Sequence, residues 1–183
     1  TRWVVRYRPW SRLSIEDNFI SRNRRLAEPD FRNNIRSNAT TISWAWNERF
    51  STFAGFSYDS FLATNSVTFL RGTPPLNTTW RDQTVNRVWQ GGITARPLSR
   101  VGVSFSGSFV RTTGAGEITL EPVNYGPLTF PMATGSVFCD VPKLGRLTLD
   151  LQRAYYIEQI VTGDNFSANL LTISWTRDFS QGQ

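Results

Sequence analysis

The stretch RLTLDLQRAYY, residues 146–156, decides the fold, because two kinds of side chain alternate along it. Leucines stand at 147, 149 and 151, and Thr148, Asp150 and Gln152 stand between them. Successive side chains of a β-strand point to opposite faces, so an extended chain here presents one apolar and one polar face. The surroundings of such a strand must accept both faces.

The same alternation recurs along the chain, whereas helical periodicity is nowhere comparable. It is clearest in NLLTISWTRDF (169–179), RVGVSFSGSFV (100–110) and TTISWAW (40–46). We predict about nine strands, near 2–8, 12–22, 39–47, 50–62, 84–96, 100–111, 134–141, 146–157 and 165–179. The chain is therefore predicted to be all-β.

The composition restricts what this fold can be. With 183 residues, 39% hydrophobic and 14% aromatic, the chain suits one ordered domain, 1–183, rather than a disordered segment. No apolar run approaches the about 18 residues of a membrane helix, which excludes a helical membrane protein but not a membrane barrel.

The chain offers little for catalysis or metal binding. It has no histidine and one cysteine, Cys139, which excludes an internal disulfide, a Cys/His metal site and a Ser-His-Asp triad. Asp140 and Asp150 share a predicted face and could form a carboxylate pair, but carboxylates on a wet face more often meet arginine or water. We therefore predict no enzyme, no metal and no cofactor held by this chain.

Short and long links alternate between the predicted strands. The short links are RPWSR (8–12), NER (47–49), RPLSR (96–100) and PKLGR (142–146). The long links include NRRLAEPDFRNNIRSN (23–38), RGTPPLNTTWRDQ (71–83) and TTGAGEITLEPVNYGPLTFP (112–131). In an up-and-down sheet this alternation sorts short turns to one end and long loops to the other. Outer-membrane barrels have that asymmetry, and their strands have the about 9 to 11 residues needed to cross a membrane.

The cross-strand register can also be predicted, because facing residues of an antiparallel pair share a face. Placing Ala95 opposite Val101 sets Gly91 against Phe105 and Trp89 against Gly107, so that each ring covers a glycine. Placing Val141 opposite Leu147 sets Asp140 against Thr148 and Asp150 against Phe138. Both registers keep the polar and apolar faces consistent.

These features resemble those of bacterial outer-membrane β-barrels, in particular their C-terminal part. Such barrels end in alternating apolar residues closed by an aromatic residue, which Phe179 matches, although residues 180–183 continue past it. Among them the chain resembles the porin-like barrels that sheathe multihaem cytochromes. The resemblance implies an antiparallel up-and-down transmembrane β-barrel in the bacterial outer membrane, with a periplasmic C-terminus.

The function implied by this resemblance is a passive pore, or a sheath around a partner such as a multihaem cytochrome. Any haem would belong to that partner, because the chain has no Cys-x-x-Cys-His motif. Single-chain bacterial barrels have an even number of strands. Nine strands therefore predict at least one more strand before Thr1, in a larger barrel whose start, with any export signal, is missing.

Small neutral side chains on the polar face predict the lining of a wet lumen. The predicted pore-lining residues are Ser104, Ser106, Ser108, Thr148, Asp150, Gln152, Thr172, Ser174 and Thr176. The residues predicted to form aromatic girdles at the membrane interfaces are Trp3, Tyr7, Trp44, Trp46, Tyr155 and Trp175.

Two groups of basic residues suggest binding surfaces in a chain of net charge +6. One lies at the short turns and predicts a rim that attracts anions or docks an acidic partner: Arg8, Arg12, Arg96, Arg100, Lys143 and Arg146. The other lies in the first long link and could meet lipopolysaccharide phosphates: Arg22, Arg24, Arg25, Arg32 and Arg36. Both groups could equally be ordinary charged turns and loops, and nucleic acid is not an expected partner.

A soluble all-β binding module is the competing interpretation. In a lipocalin-like barrel the apolar faces would point inward around a small apolar ligand, and the serines and threonines would form the outside. The two interpretations differ in which face of the sheet is turned outward.

Overall fold

The computed structural model describes residues 1–26, 31–69, 76–118, 121–142, 144–159 and 162–177. Nine strands form one antiparallel sheet in which each strand pairs with its neighbours in sequence. They are β1 Arg2–Trp10, β2 Leu13–Leu26, β3 Phe31–Asn47, β4 Phe50–Phe69, β5 Leu76–Leu98, β6 Val101–Ile118, β7 Glu121–Val141, β8 Gly145–Glu158 and β9 Phe166–Thr176. The prediction of an all-β, antiparallel, up-and-down fold with nine strands is confirmed.

A short 3-10 helix, Thr162–Asp164, lies between β8 and β9. Among the described residues no helix has the length and apolar character to cross a membrane. The sheet is open in the part of the chain that the structure describes, because β1 and β9 form its two edges and no ladder joins them.

The strands extend much further than alternation predicts, and the predicted long loops are wrong for this reason. β2 and β3 stay paired up to Leu26 and Phe31, within the segment predicted as the first long link. β4 and β5 likewise remain paired up to Phe69 and Leu76. Backbone hydrogen bonds hold a ladder together whether or not its side chains alternate, so the strands continue where the apolar face has ended.

The predicted register is wrong by two residues in both hairpins that were tested. Ala95 faces Val103 rather than Val101, and Cys139 rather than Val141 faces Leu147. The β5–β6 hairpin has an irregularity between Ala95 and Leu98, which shortens the turn to two residues. Because the error is an even number of residues, every side chain still lies on its predicted face.

The two faces of the sheet differ in chemistry and in exposure. On β6, Phe105 of the apolar face is 54% exposed, whereas Ser104 and Ser106 of the polar face are only partly exposed. The four buried residues among those described all lie on the polar face: Ala63, Gly102, Gly116 and Ala154. Within the described ranges no second layer of strands or helices packs on either face, so this crowding indicates that the sheet curls towards its polar face.

The four tight hairpin turns are staggered by two residues each. Residues that lie directly opposite one another on successive strands form a row across the sheet. The row that begins at the β1–β2 turn, at Trp10 and Leu13, reaches Gly135 on β7. The rows through the next three turns reach Val137, Cys139 and Val141 on the same strand. Each hairpin of two strands therefore advances the register by two residues, or one residue per strand.

Candidate functional site: the polar face and its turn-side mouth

All nine predicted pore-lining residues lie together on the polar face. One cross-strand row joins Ser104 on β6 to Asp150 on β8 through Ser136 on β7, and continues to Thr172 on β9. A neighbouring row joins Thr148 to Ser174. Ser136 and Thr134 lie in the same cross-strand rows of the polar face. The sequence prediction of the site leaves them out, although the alternation in their own strand, ATGSVFCD, indicates them.

Among the described residues, buried side-chain oxygens without a protein hydrogen-bond partner are found on the polar face of β2, β3, β4 and β5. They are the Oδ1 atoms of Asn18, Asn33, Asn65, Asp82 and Asn86. Cross-strand pairing places Asn33 and Asp82 on either side of Ala63, which is only 5% exposed. A buried oxygen acceptor left without a donor is costly, so these atoms require water or a bound group.

The apolar face carries two bands of aromatic rings. Near the short turns, ring centroids lie 6.3 Å apart between Trp10 and Trp44 and 5.9 Å apart between Trp44 and Trp46. Further along the strands, Trp89 lies between Phe56 and Phe109, with centroids 5.5 and 5.7 Å away. The six residues predicted for the girdles all lie on this face: Trp3, Tyr7, Trp44, Trp46, Tyr155 and Trp175.

One polar cluster interrupts the apolar face near the first edge of the sheet. Asp17 accepts a hydrogen bond of 2.6 Å from the Thr40 hydroxyl and a hydrogen bond of 3.2 Å from the Asn38 amide. Thr40 lies directly opposite Asp17 in the β2–β3 ladder. These contacts satisfy the carboxylate locally, so that it can lie on this face without an external cation.

The predicted basic rim is spread over the turns at one end of the sheet. Arg8 and Arg12 lie at the first hairpin, Arg96 and Arg100 at the third, and Arg146 next to the fourth. Lys143 lies outside the described residues, as does Phe179. Of the described rim residues, Arg96, Arg100 and Arg146 lie together, on the polar face at the turn-side ends of β5, β7 and β8. We call this place the turn-side mouth.

The turn-side mouth is built around Asp140 and Phe138. Arg146 donates two hydrogen bonds to Asp140, from Nε to Oδ1 at 2.6 Å and from Nη2 to Oδ2 at 3.0 Å. The same guanidinium lies 4.5 Å from the ring centroid of Phe138, and that of Arg96 lies 5.6 Å from it. A cleft of about 870 Å³ adjoins this group, lined in part by Arg100, Asp140, Arg146, Thr176 and Arg177.

The two carboxylates considered for catalysis are not a pair. Asp140 faces Arg146, whereas Asp150 faces Ser136, so they are four strand positions apart. That separation is about 13 Å at about 3.3 Å per residue, beyond the about 5 to 9.5 Å that acid/base carboxylate pairs use. Within the described ranges, no group of three or more Asp, Glu, Cys or His side chains could hold a metal ion.

The five arginines predicted for a long loop lie instead on the extended part of the β2–β3 hairpin. Arg22 and Arg24 are on the polar face, and Arg25, Arg32 and Arg36 are on the other face. Further arginines on that second face stand just beyond the apolar region of their strands: Arg87 on β5, Arg111 on β6 and Arg153 on β8.

Comparison with known proteins gives no further guide to the site. No family model, no curated protein and no solved structure matches the chain. Its function therefore has to be argued from the two faces of the sheet and from the turn-side mouth.

Proposed function

We propose that the chain forms part of an outer-membrane β-barrel that acts as a passive conduit. Its apolar face meets lipid and its polar face lines an aqueous lumen, which is either an open pore or a sheath around a partner protein such as a multihaem cytochrome. Such a conduit requires no reaction. The role of the chain is to form part of the barrel wall and to place charged side chains at its ends, rather than to provide catalytic groups.

The observation that carries this proposal is the inverted burial of the sheet. Large apolar side chains occupy the more exposed face, including Leu149 at 44%, Leu151 at 57% and Phe105 at 54%. Water disfavours so wide an apolar surface, because each Å² of it costs about 25 cal/mol relative to burial. Lipid accepts the same surface, as it does on the outside of membrane barrels.

The stagger of the hairpins supports a tilted, barrel-like wall. One residue per strand, at about 3.3 Å along the strand and about 4.8 Å between strands, corresponds to a tilt of about 35° if the turns form a level rim. On β6 the apolar face has no charge between Val101 and Arg111. Ten residues at that tilt rise about 27 Å, close to the apolar band of about 25 Å on membrane barrels.

A lipocalin-like binding module fits this arrangement less well. Its apolar side chains would crowd together in the interior around a ligand. Here the crowded face carries serine, threonine and asparagine, and five of the buried oxygens on its described part have no protein hydrogen-bond partner. A water-filled interior satisfies those oxygens, whereas an apolar ligand leaves them unpaired.

Closure of the conduit requires strands beyond the nine. β1 and β9 run in the same direction, because eight antiparallel pairings separate them. All-antiparallel closure between these two edges therefore takes an odd number of further strands, consistent with the even totals of bacterial barrels.

The positions of the arginines support a different partner at each end of the sheet. Those of the turn-side rim favour anions or an acidic protein at the periplasmic mouth. Arginines beyond the apolar region at the other end, among them Arg36, Arg87 and Arg111, are placed to meet lipopolysaccharide phosphates.

Tryptophan fluorescence in vesicles tests the proposal. Six of the seven tryptophans lie on the apolar face, and Trp80 lies on the polar face opposite Asn65. Brominated acyl chains quench tryptophans that they touch. We expect most of the emission to be lost in brominated vesicles compared with unbrominated vesicles.

Two matched variants locate the quenched rings. Trp89→Phe should lower the quenched fraction, whereas Trp80→Phe should leave it unchanged or raise it. Equal emission in the two kinds of vesicle, or a quenched Trp80 with unquenched apolar-face tryptophans, would overturn the proposed function.

A further inference from the structure

We propose that the turn-side mouth is a binding site for a small oxyanion of the phosphate or carboxylate class, and that Phe138 organises it. The inference rests on the proposed function in one respect, that the polar face is the wet face. The inference goes beyond the proposed function because it names the class of ligand, the place where the ligand binds and the residue that positions the arginines.

The charge of the cleft favours an anion. Among its described lining residues, the guanidiniums of Arg100 and Arg146 stand against one carboxylate, Asp140. Arg96 adds a third guanidinium nearby, over the Phe138 ring. Guanidinium forks match the paired oxygens of carboxylate and phosphate, which makes the site selective for oxyanions over a simple halide.

The ring of Phe138 gives the arginines a fixed position. Two guanidiniums, from Arg96 and Arg146, lie within 5.6 Å of its centroid. Cation–π attraction holds the two guanidiniums near one ring, although their like charges repel each other. Asp140 then fixes the plane of the Arg146 fork through its two hydrogen bonds.

A glycine on the neighbouring strand leaves room for this ring. Gly102 lies directly opposite Phe138 in the β6–β7 ladder. A Cβ atom at residue 102 would collide with the Phe138 ring. The Gly102–Phe138 pair therefore places the ring, and the ring places the two arginines.

Thiol labelling in membranes tests the site without requiring conduction. In a Cys139→Ala background, single cysteines replace Thr176, which lines the cleft, or Ala168, on the same face of β9 eight residues away. We expect the ratio of anionic to cationic methanethiosulfonate rates to be about tenfold higher at residue 176 than at residue 168. Inorganic phosphate, at constant ionic strength, should slow a neutral reagent at 176 but not at 168.

A matched pair of variants separates a positioned site from diffuse charge. Phe138→Leu keeps every charge but removes the ring, and should abolish protection by phosphate. Phe53→Leu removes another polar-face ring, which covers Gly92, and should retain protection. If protection appears with vesicles of anionic lipid and not with free phosphate, the site is supported and a lipid headgroup is its ligand.

Three results would overturn the inference. They are equal reagent ratios at the two cysteines, no protection by either phosphate or anionic lipid, and protection that survives Phe138→Leu. In each of these the proposed function stands as long as both cysteines react. If neither cysteine reacts with any reagent, the polar face is not wet, and the proposed function fails together with the inference.

Discussion

Rings placed over glycines determine the packing of the polar face at the residue scale. Phe138 occupies the space beside Gly102, and a Cβ atom at Gly92 would lie 2.7 Å from the Phe53 ring. A ring over a glycine covers exposed backbone and tightens the ladder. The glycines of this face are therefore structural as well as small.

Gly102→Ala should lower the free energy of unfolding by about 1 to 3 kcal/mol, because the new methyl group displaces the Phe138 ring. Gly135→Ala is the control, since a Cβ atom there meets nothing within 4 Å. Urea unfolding of vesicle-inserted protein measures both changes. The packing argument is wrong if the two variants lose equal stability.

The predicted pairing of rings with glycines across β5 and β6 is wrong. Gly91–Phe105 and Trp89–Gly107 were expected, whereas Gly91 faces Gly107 and Trp89 faces Phe109. Alternation specifies the face of a residue and not its neighbour, because a shift of two residues changes every partner and no face. The bidentate Asp140–Arg146 pair was missed for the same reason.

At the scale of the strand, β6 shows most clearly the difference in chemistry between the two faces. Its apolar side chains end at Phe109 and its next residue on that face is Arg111, while serines and Gly102 occupy the other face. If lipid covers the first face, a charge placed in its middle is expensive. A charge in the middle of the second face meets water and costs little.

Phe105→Arg should therefore destabilise the inserted protein by about 2 to 4 kcal/mol more than Phe105→Gln, which removes the same ring without adding charge. Ser106→Arg, on the polar face of the same strand, should cost less than about 1 kcal/mol. Unfolding titrations in vesicles measure the three variants. Equal costs for the arginines at 105 and 106 would contradict the assignment of the faces.

Strand ends were the least predictable feature of the elements. Alternation locates the middle of each strand, but it stops where the apolar face stops. Beyond that point, residues such as Asn33 and Arg24 face each other in a ladder that backbone hydrogen bonds maintain. Polar composition in this part of the chain predicts a loop, although the strands continue there.

At the scale of the whole molecule, the stagger of the turns and the inverted burial have one explanation. When each strand is shifted by one residue relative to the strand before it, the strands are tilted. The apolar residues of all strands then form one band at a constant height across the sheet. Neither the stagger nor the turn-side mouth could be predicted from the sequence, since both depend on the register across several strands. The face on which each predicted pore-lining residue lies could be predicted, because membership of a face needs only alternation.

Labelling of adjacent residues on β8 tests the central claim most directly. In a Cys139→Ala background, single cysteines at 149 and 150 are exposed in membranes to a thiol reagent that is soluble in water and does not enter lipid. Leu149 lies on the apolar face and Asp150 on the polar face, one residue apart. The account predicts rapid reaction at 150 and protection at 149, with protection lost when detergent removes the lipid. Equal reaction at both residues, or faster reaction at 149, would contradict it.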